Sequence, residues 1–248
     1  MLIDIEKFFE KFEIKVNGFV QVGAHLGTEV EKFQKINKNA HIYLFEPQEK
    51  FYKKLVKKFQ KNNLIKVLNT GLGDVENNLT MYKDLNNESQ SSSFLKPKDH
   101  LKYHSYINFA LDEKEVIQIM KLDSYKINDA NILCVDVQGF ELKVLKGGER
   151  FLENCDAILI EVNRKELYEG CPHINDIDKF LKNFDFIRVS TKWWKQTIPW
   201  GDALYLKKNK VPFINRLSLV FKNYINTKTL TFFILSRFIN IKNFKNKT

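Results

Sequence analysis

The chain has 248 residues, 44% hydrophobic and 13% aromatic, enough for one large domain with an appendage and too apolar for wholesale disorder. Cys134, Cys155 and Cys171 form no CxxC pair, and this odd, sparse count fits a reducing compartment better than a disulfide framework. The net charge of +10 invites a nucleic-acid partner, but ten Lys or Arg and no acid follow Asp202, leaving 30 cations against 30 acids in the body. A charge-balanced body argues against a nucleic-acid groove.

Residues 1–17 read as a helical lead-in. Asp4, Glu6, Glu10 and Glu13 match neither a signal nor a transit peptide, so a cytoplasmic protein is expected. Beyond them, short apolar runs alternate with amphipathic stretches, the pattern of βαβ units and a parallel sheet. Residues 19–22 form a strand that ends at Gly23. Residues 28–36 read as a helix, with Thr28 as its cap and Val30, Phe33 and Ile36 on one face. A second strand spans 41–45. A lysine-faced helix at 48–60 follows, with Phe51, Leu55 and Phe59 at spacing four. The third strand, 64–68, leads to Gly71-Leu72-Gly73-Asp74. There the alternation lapses. Residues 79–82 and 116–120 read as extra strands, and the polar loop 86–93 lies in a stretch long enough to carry function. Residues 132–136 resume the sheet, Gly139 opens a helix at 141–145, and 157–161 is the fifth parallel strand. A helix at 174–181 and a closing hairpin, 184–189 with 203–206, bracket the aromatic loop from Trp193 to Trp200.

Two places carry chemistry. A strand running through Val22 into the glycine turn Gly23-Ala24-His25-Leu26-Gly27 lets backbone approach a ligand at the carboxyl end of the sheet. Glu46, at the end of the second strand, offers a carboxylate to both hydroxyls of a ribose. A dinucleotide fingerprint would need glycine at 25 and 28, which are His25 and Thr28, and no phosphate-loop GK[ST] follows. An adenosyl cofactor without a pyrophosphate remains; a bare strand–helix turn would account for the glycines but not for Glu46. The second place is Asp136, a charge ending a buried strand over the same crevice, where it needs a partner or a purpose. Glu141 opens the next helix, where the macrodipole favours a carboxylate without any catalysis.

VGAHLG (22–27), FEP (45–47), Leu122-Asp123, DVQGFELKVLKG (136–147) and IEV (160–162) together resemble the FkbM-type methyltransferases over roughly residues 18–206. The resemblance implies an α/β, Rossmann-like class I methyltransferase fold: a mostly parallel seven-stranded sheet, a closing antiparallel hairpin, and extra strands after the third. It implies S-adenosyl-L-methionine as cofactor and O-methylation of a hydroxyl on a sugar, glycan or glycolipid precursor, as in polysaccharide biosynthesis. It implies Gly23, Ala24, His25, Gly27, Glu46, Pro47, Gly71, Leu72, Asp136 and Gln138 as cofactor-binding residues. Two departures stand out: Gln21 where relatives usually carry Asp, and Gln138 where many carry Glu.

Methyl transfer is dominated by positioning, but a sugar hydroxyl must still lose its proton to a base. The candidates are Asp136, then Glu161, then His25. Trp193, Trp194 and Trp200 either line an acceptor pocket or pack the end of the sheet. His100 with His104, and Cys171 with His173, supply too few ligands for a metal, so none is expected.

The domain is expected to span 18–208 and a basic tail 209–248. In the tail Phe213, Leu217, Val220, Phe221 and Tyr224 recur at helical spacing, and the apolar run 230–241 is too short to cross a bilayer. The pattern suits the inner face of an anionic membrane, and equally a helix packed on the domain or on a second subunit. Two rivals to a sugar O-methyltransferase remain. A nucleic-acid base methyltransferase would need an [NDS]PP[YF] turn where residues 136–139 stand, and a non-catalytic cofactor-binding or scaffolding domain would lack methyl transfer altogether.

Overall fold

The computed structural model describes residues 2–85, 88–103, 109–195, 198–213, 215–216 and 219, with backbone only at 100–101 and 110–114. In chain order the elements are α1 (Ile5–Lys11), β1 (Gly18–Val22), α2 (Val30–Ile36), β2 (His41–Phe45), α3 (Glu49–Phe59), β3 (Ile65–Leu68), β4 (Gly71–Leu72), β5 (Asn77–Asp84) and α4 (His100–Tyr103). Then come β6 (Phe109–Met120), β7 (Ile132–Val135), α5 (Glu141–Lys146), α6 (Glu149–Asn154), β8 (Ala157–Asn163), α7 (Ile174–Lys182), β9 (Phe186–Trp193) and β10 (Trp200–Lys207).

The main sheet has the order β3-β2-β1-β7-β8-β10-β9. The first five strands are parallel, and β10 runs antiparallel to both β8 and β9. Strand order reverses beside β1, which opens a crevice at the carboxyl ends of β1 and β7. A small sheet, β4-β6-β5, fills the interval after β3. This is the class I methyltransferase architecture the motifs imply.

Alternate residues of each central strand enter two cores. Phe19, Cys134, Leu159 and Leu204 join α1 and α2 residues on one face. Val20, Val135, Ile160 and Ala203 pack with residues of α5, α6 and α7 on the other. A sheet covered on both faces explains why its strands read as short, unbroken apolar runs. Buried polar side chains gather toward the crevice end of the central strands, at Gln21, Glu161, Asn163 and Asp202.

Several boundaries differ from the sequence reading. Thr28 does not cap α2: its hydroxyl donates to the Glu29 carboxylate, and the helix begins at Val30. The reason lies one residue earlier. Gly27, at φ +63°, closes a tight turn by donating to the Ala24 carbonyl, and this delays the helix. Helix α6 escapes the sequence reading because its cap is remote. The Asp123 carboxylate accepts from the Arg150 and Phe151 N–H groups at 3.0 Å each, so Leu122-Asp123 anchors a helix start. Strands β6 and β8 run longer than expected, and Trp193 and Trp200 lie inside β9 and β10 rather than in the loop between them.

Most of the tail, including residues 220–248, lies outside the described residues, as does His104. At its start Val211 is fully buried and Leu219 packs on the first core. Among the described residues no helix is long and apolar enough to cross a membrane.

Residue 23 is the tightest point near the crevice. Gly23 has φ +82°, and a Cβ there would fall 1.9 Å from the Asp136 carbonyl oxygen. Gly23→Ala is therefore expected to cost on the order of 3 kcal/mol through backbone strain plus overpacking. The check is a lower urea midpoint at unchanged m-value; an unchanged midpoint would contradict the close approach.

Candidate active site

A cleft of about 520 Å³ opens at the carboxyl ends of β1, β2, β7 and β8 and the amino end of β10. That volume suits a cofactor-sized ligand with room beside it. Of the residues expected to hold the cofactor, Gly23, Ala24, His25, Glu46, Pro47, Gly71, Leu72, Asp136 and Gln138 all line it. Gly27 does not. It faces Leu55 and Phe59 of α3, where its missing Cβ makes room for their side chains.

The glycine turn contributes shape rather than donors. The Gly23 and Ala24 N–H groups both donate to the Phe45 carbonyl at 3.0 Å, and the His25 N–H donates to Glu46 Oε2 at 2.8 Å. With those amides committed to β2, this stretch of the turn has no N–H nest for a pyrophosphate. Glu46 also accepts from the Gln48 N–H at 2.8 Å, so two backbone donors fix its carboxylate. Each oxygen keeps a lone pair for a ribose hydroxyl. Burial pushes its pKa up to about 7 against the pull of those two donors. Asn69 escaped the sequence reading: its amide donates to the Glu46 and Pro47 carbonyls and holds the FEP segment.

On the other side of the cleft, polar side chains share one sheet face. Glu161 and Asp202 are paired residues on β8 and β10, and Asp136 follows β7 directly. Gln138, in a left-handed conformation at φ +53°, points its amide between them. It donates to Asp136 Oδ1 at 2.7 Å and to Glu161 Oε2 at 2.9 Å, and its own oxygen lies 2.9 Å from the Tyr168 hydroxyl. Beneath this group the buried Glu141 accepts from the Gly139 and Val137 N–H groups, which fixes the backbone turn that presents Gln138. Glu141 also opens α5, where the helix dipole favours its carboxylate, so it serves both the helix and the turn. Burial raises its pKa to about 7.

Exposure separates the two carboxyls nearest the centre. Burial, then the charges of Asp136, Glu141 and Asp202, push Glu161 well above the usual carboxylate range. Burial raises Asp136 as well. Asp136, however, opens to solvent in the cleft, whereas Glu161 is 7% exposed. Glu161, the less exposed of the two, is pushed up by burial and by its acidic neighbours, and a hydrogen bond joins the two carboxyls.

His25, the third base candidate, is a tether. Its Nε2 lies 2.8 Å from the Glu88 carbonyl and its ring packs on Phe51 at 4.1 Å. The serine-rich loop it holds lines the cleft through Ser89, Ser91 and Ser92, and Ser93 donates to the Gln138 carbonyl at 2.6 Å. The tryptophans divide. Trp194 and Trp200 stack at 5.4 Å on the cleft wall, whereas Trp193 packs in the second core under the Arg164 guanidinium. Among the described residues no cluster of three or more His, Cys, Asp or Glu could hold a metal ion.

These residues fit an adenosyl cofactor. Glu46 suits the ribose, and Gln21, which lines the cleft and is 4% exposed, has an Oε1 with no partner, an acceptor for the methionine ammonium. An ionised Glu46 accepts from both hydroxyls and a protonated one does not. Its raised pKa means the ionised form grows as pH rises through about 7. Affinity for S-adenosylhomocysteine is therefore expected to rise between about pH 6 and 8 and to be weak and flat with pH in Glu46→Gln. Calorimetry across that range checks both; a flat wild-type profile would exclude this role.

Residues 21–188 match the Methyltransferase FkbM domain. The 2-O-methyltransferase NoeI of Sinorhizobium fredii (strain NBRC 101917 / NGR234) is 22% identical over 177 residues, covering 68% of this chain and 72% of that protein. The crystal structure of methyltransferase FkbM from Methylobacillus flagellatus KT superposes with a TM-score of 0.51 at 15% identity. The match covers 77% of this chain and 43% of that one, so this chain spans under half its length, and the likeness is one of fold. Aeropyrum pernix fibrillarin, solved with natively bound S-adenosyl-L-methionine, aligns over 77% of this chain and 66% of its own at 11% identity, with a TM-score of 0.45. With the family's domain matched from β1 into β9, this chain belongs to the FkbM methyltransferase family and is an S-adenosyl-L-methionine-dependent methyltransferase.

Proposed function

We propose that the protein O-methylates a hydroxyl of a sugar, glycan or glycolipid precursor, with residues 18–208 carrying the activity. The observation behind this reading is Asp136, tied by Gln138 to Glu161, between the cofactor turn and the stacked Trp194–Trp200 wall. Aromatic faces pack well against the C–H face of a sugar ring. The relative NoeI, named as a 2-O-methyltransferase, supports oxygen as the methylated atom.

When bound, the cofactor supplies a methyl already activated on a sulfonium, which leaves as a neutral thioether. The chain must hold the hydroxyl in line and accept its proton as the O–C bond forms. Asp136 takes that proton. Glu161 steadies Asp136 through the hydrogen bond that joins the two carboxyls, and the Gln138 amide keeps both in register. Asp136→Asn is expected to lower kcat by about 10²–10⁴-fold, with a smaller change in KM for the cofactor. Steady-state kinetics on an accepted sugar checks this; unchanged kcat would remove Asp136 from the reaction.

We also propose that residues 209–248 place the enzyme on the inner face of an anionic membrane. The support is their charge, since ten cations and no acid follow Asp202. Replacing Lys222, Lys228, Lys242, Lys245 and Lys247 together by Gln is expected to abolish sedimentation with phosphatidylserine vesicles while methyl transfer persists. Sedimentation unchanged by the replacement would refute membrane attachment.

A further inference from the structure

Among the described residues seven non-glycine residues have a left-handed backbone, and four of them, His25, Glu88, Ser89 and Gln138, line the cleft. Such backbone is strained and persists only where its surroundings hold it. The Glu141 carboxylate holds Gln138 through the Val137 and Gly139 N–H groups. The other three meet elsewhere, where the tip of the loop after β5 touches the glycine turn.

The two parts of that loop are secured differently. Residues 91–93 are buried and built into the edge of the small sheet. Ser93 and Tyr82 exchange backbone hydrogen bonds, and the Asp84 carboxylate accepts from the Ser91 N–H at 3.2 Å. Tyr168 donates to the Ser91 carbonyl at 3.0 Å, and Ser93 to the Gln138 carbonyl at 2.6 Å. The tip, residues 88–90, is more open: Glu88 and Gln90 are exposed. It reaches the glycine turn through the His25 ring, whose Nε2 lies 2.8 Å from the Glu88 carbonyl. A carbonyl only accepts, so the ring donates.

The loop therefore joins the Gln138 turn to the glycine turn, and Ser89, Gln90, Ser91 and Ser92 line the cleft between them. His25 is well placed to couple this span to the cofactor. Its N–H is committed to Glu46 Oε2, the carboxylate suited to the ribose, and its ring sits on Phe51 at 4.1 Å. One side-chain contact at an exposed tip is a far weaker anchor than the buried base, and local opening begins at the weaker one.

We propose that His25 is a positioning residue for the cofactor: it latches residues 88–90 to the glycine turn, closes the loop over the bound cofactor, and by opening sets the rate at which S-adenosylhomocysteine leaves. This role concerns the cofactor alone and holds whatever the acceptor is.

The test follows S-adenosylhomocysteine binding and release by stopped flow on the full-length protein, with amide hydrogen exchange alongside. His25→Gly deletes the ring, keeps the N–H that Glu46 accepts, and takes φ +47° without strain. Dissociation from this variant is expected to be about tenfold or more faster, with association no slower. His25→Gln, whose terminal amide can donate to the same carbonyl, is expected to restore most of the slow release. S-adenosylhomocysteine is expected to protect the amides of residues 88–90 in the wild-type protein and to leave them unprotected in His25→Gly. Unchanged dissociation from His25→Gly would overturn the proposal, as would wild-type tip amides that exchange equally with and without S-adenosylhomocysteine. Faster dissociation with tip protection intact would make His25 a direct cofactor ligand and remove the latch. If His25→Gly does not fold, the wild-type exchange pattern alone decides.

Discussion

The backbone at residue 23 passes so close to the Asp136 carbonyl that only glycine can occupy the position. The two segments that meet there are the ends of β1 and β7, the strands between which the sheet reverses its order. Their contact sets the width of the crevice. It turns the Gly23, Ala24 and His25 amides toward β2, and it places Asp136 on the opposite lip. The cofactor half and the acceptor half of the cleft thus share one steric constraint.

Electrostatics then divides labour among carboxyl groups that the fold crowds together. Glu46 is held by two backbone donors, Glu141 is consumed in fixing a turn, burial pushes Glu161 well above the usual carboxylate range, and Asp136 faces water. Environment, not residue type, sets these roles. Gln138 makes the arrangement workable. A glutamate there would add a further negative charge between Asp136 and Glu161, whereas the amide donates to both. The departure at residue 138 therefore exchanges repulsion for two hydrogen bonds. The departure at residue 21 acts differently, replacing a charged acceptor with a neutral one in a buried position.

Much of this was legible in the chain. The glycine turn, the Glu46 that follows the second strand and the Asp136 string are local features, and their spacing carries their meaning. The long-range features were not legible. Leu122-Asp123 could be quoted as a motif, but its capping of α6 depends on a contact across 27 residues. His25 looked like a base because sequence cannot reveal that a carbonyl 63 residues away ties down its ring nitrogen. The tryptophans could not be sorted until strand register put Trp200 opposite Asn163. Asp202 was visible only as the last acid of the chain, since its pairing with Glu161 is a matter of strand register. Tertiary pairing decides such cases, and local pattern carries no trace of it.

The position of β10 in the sheet bears on the order in which the protein can be made. This strand comes last in the main sheet yet lies between β8 and β9, and it brings Trp200 and Asp202 to the cleft. The turn, Glu46 and the Asp136 segment that packs on the turn all precede β8 in the chain, so on a ribosome that side of the cleft can form before β10 is synthesised. The wall that β10 supplies must wait until that strand has emerged and inserted between two strands already present. A nascent chain stalled before residue 200 would therefore carry the glycine turn and Glu46 beside a cleft open on the side that Trp200 and Asp202 close.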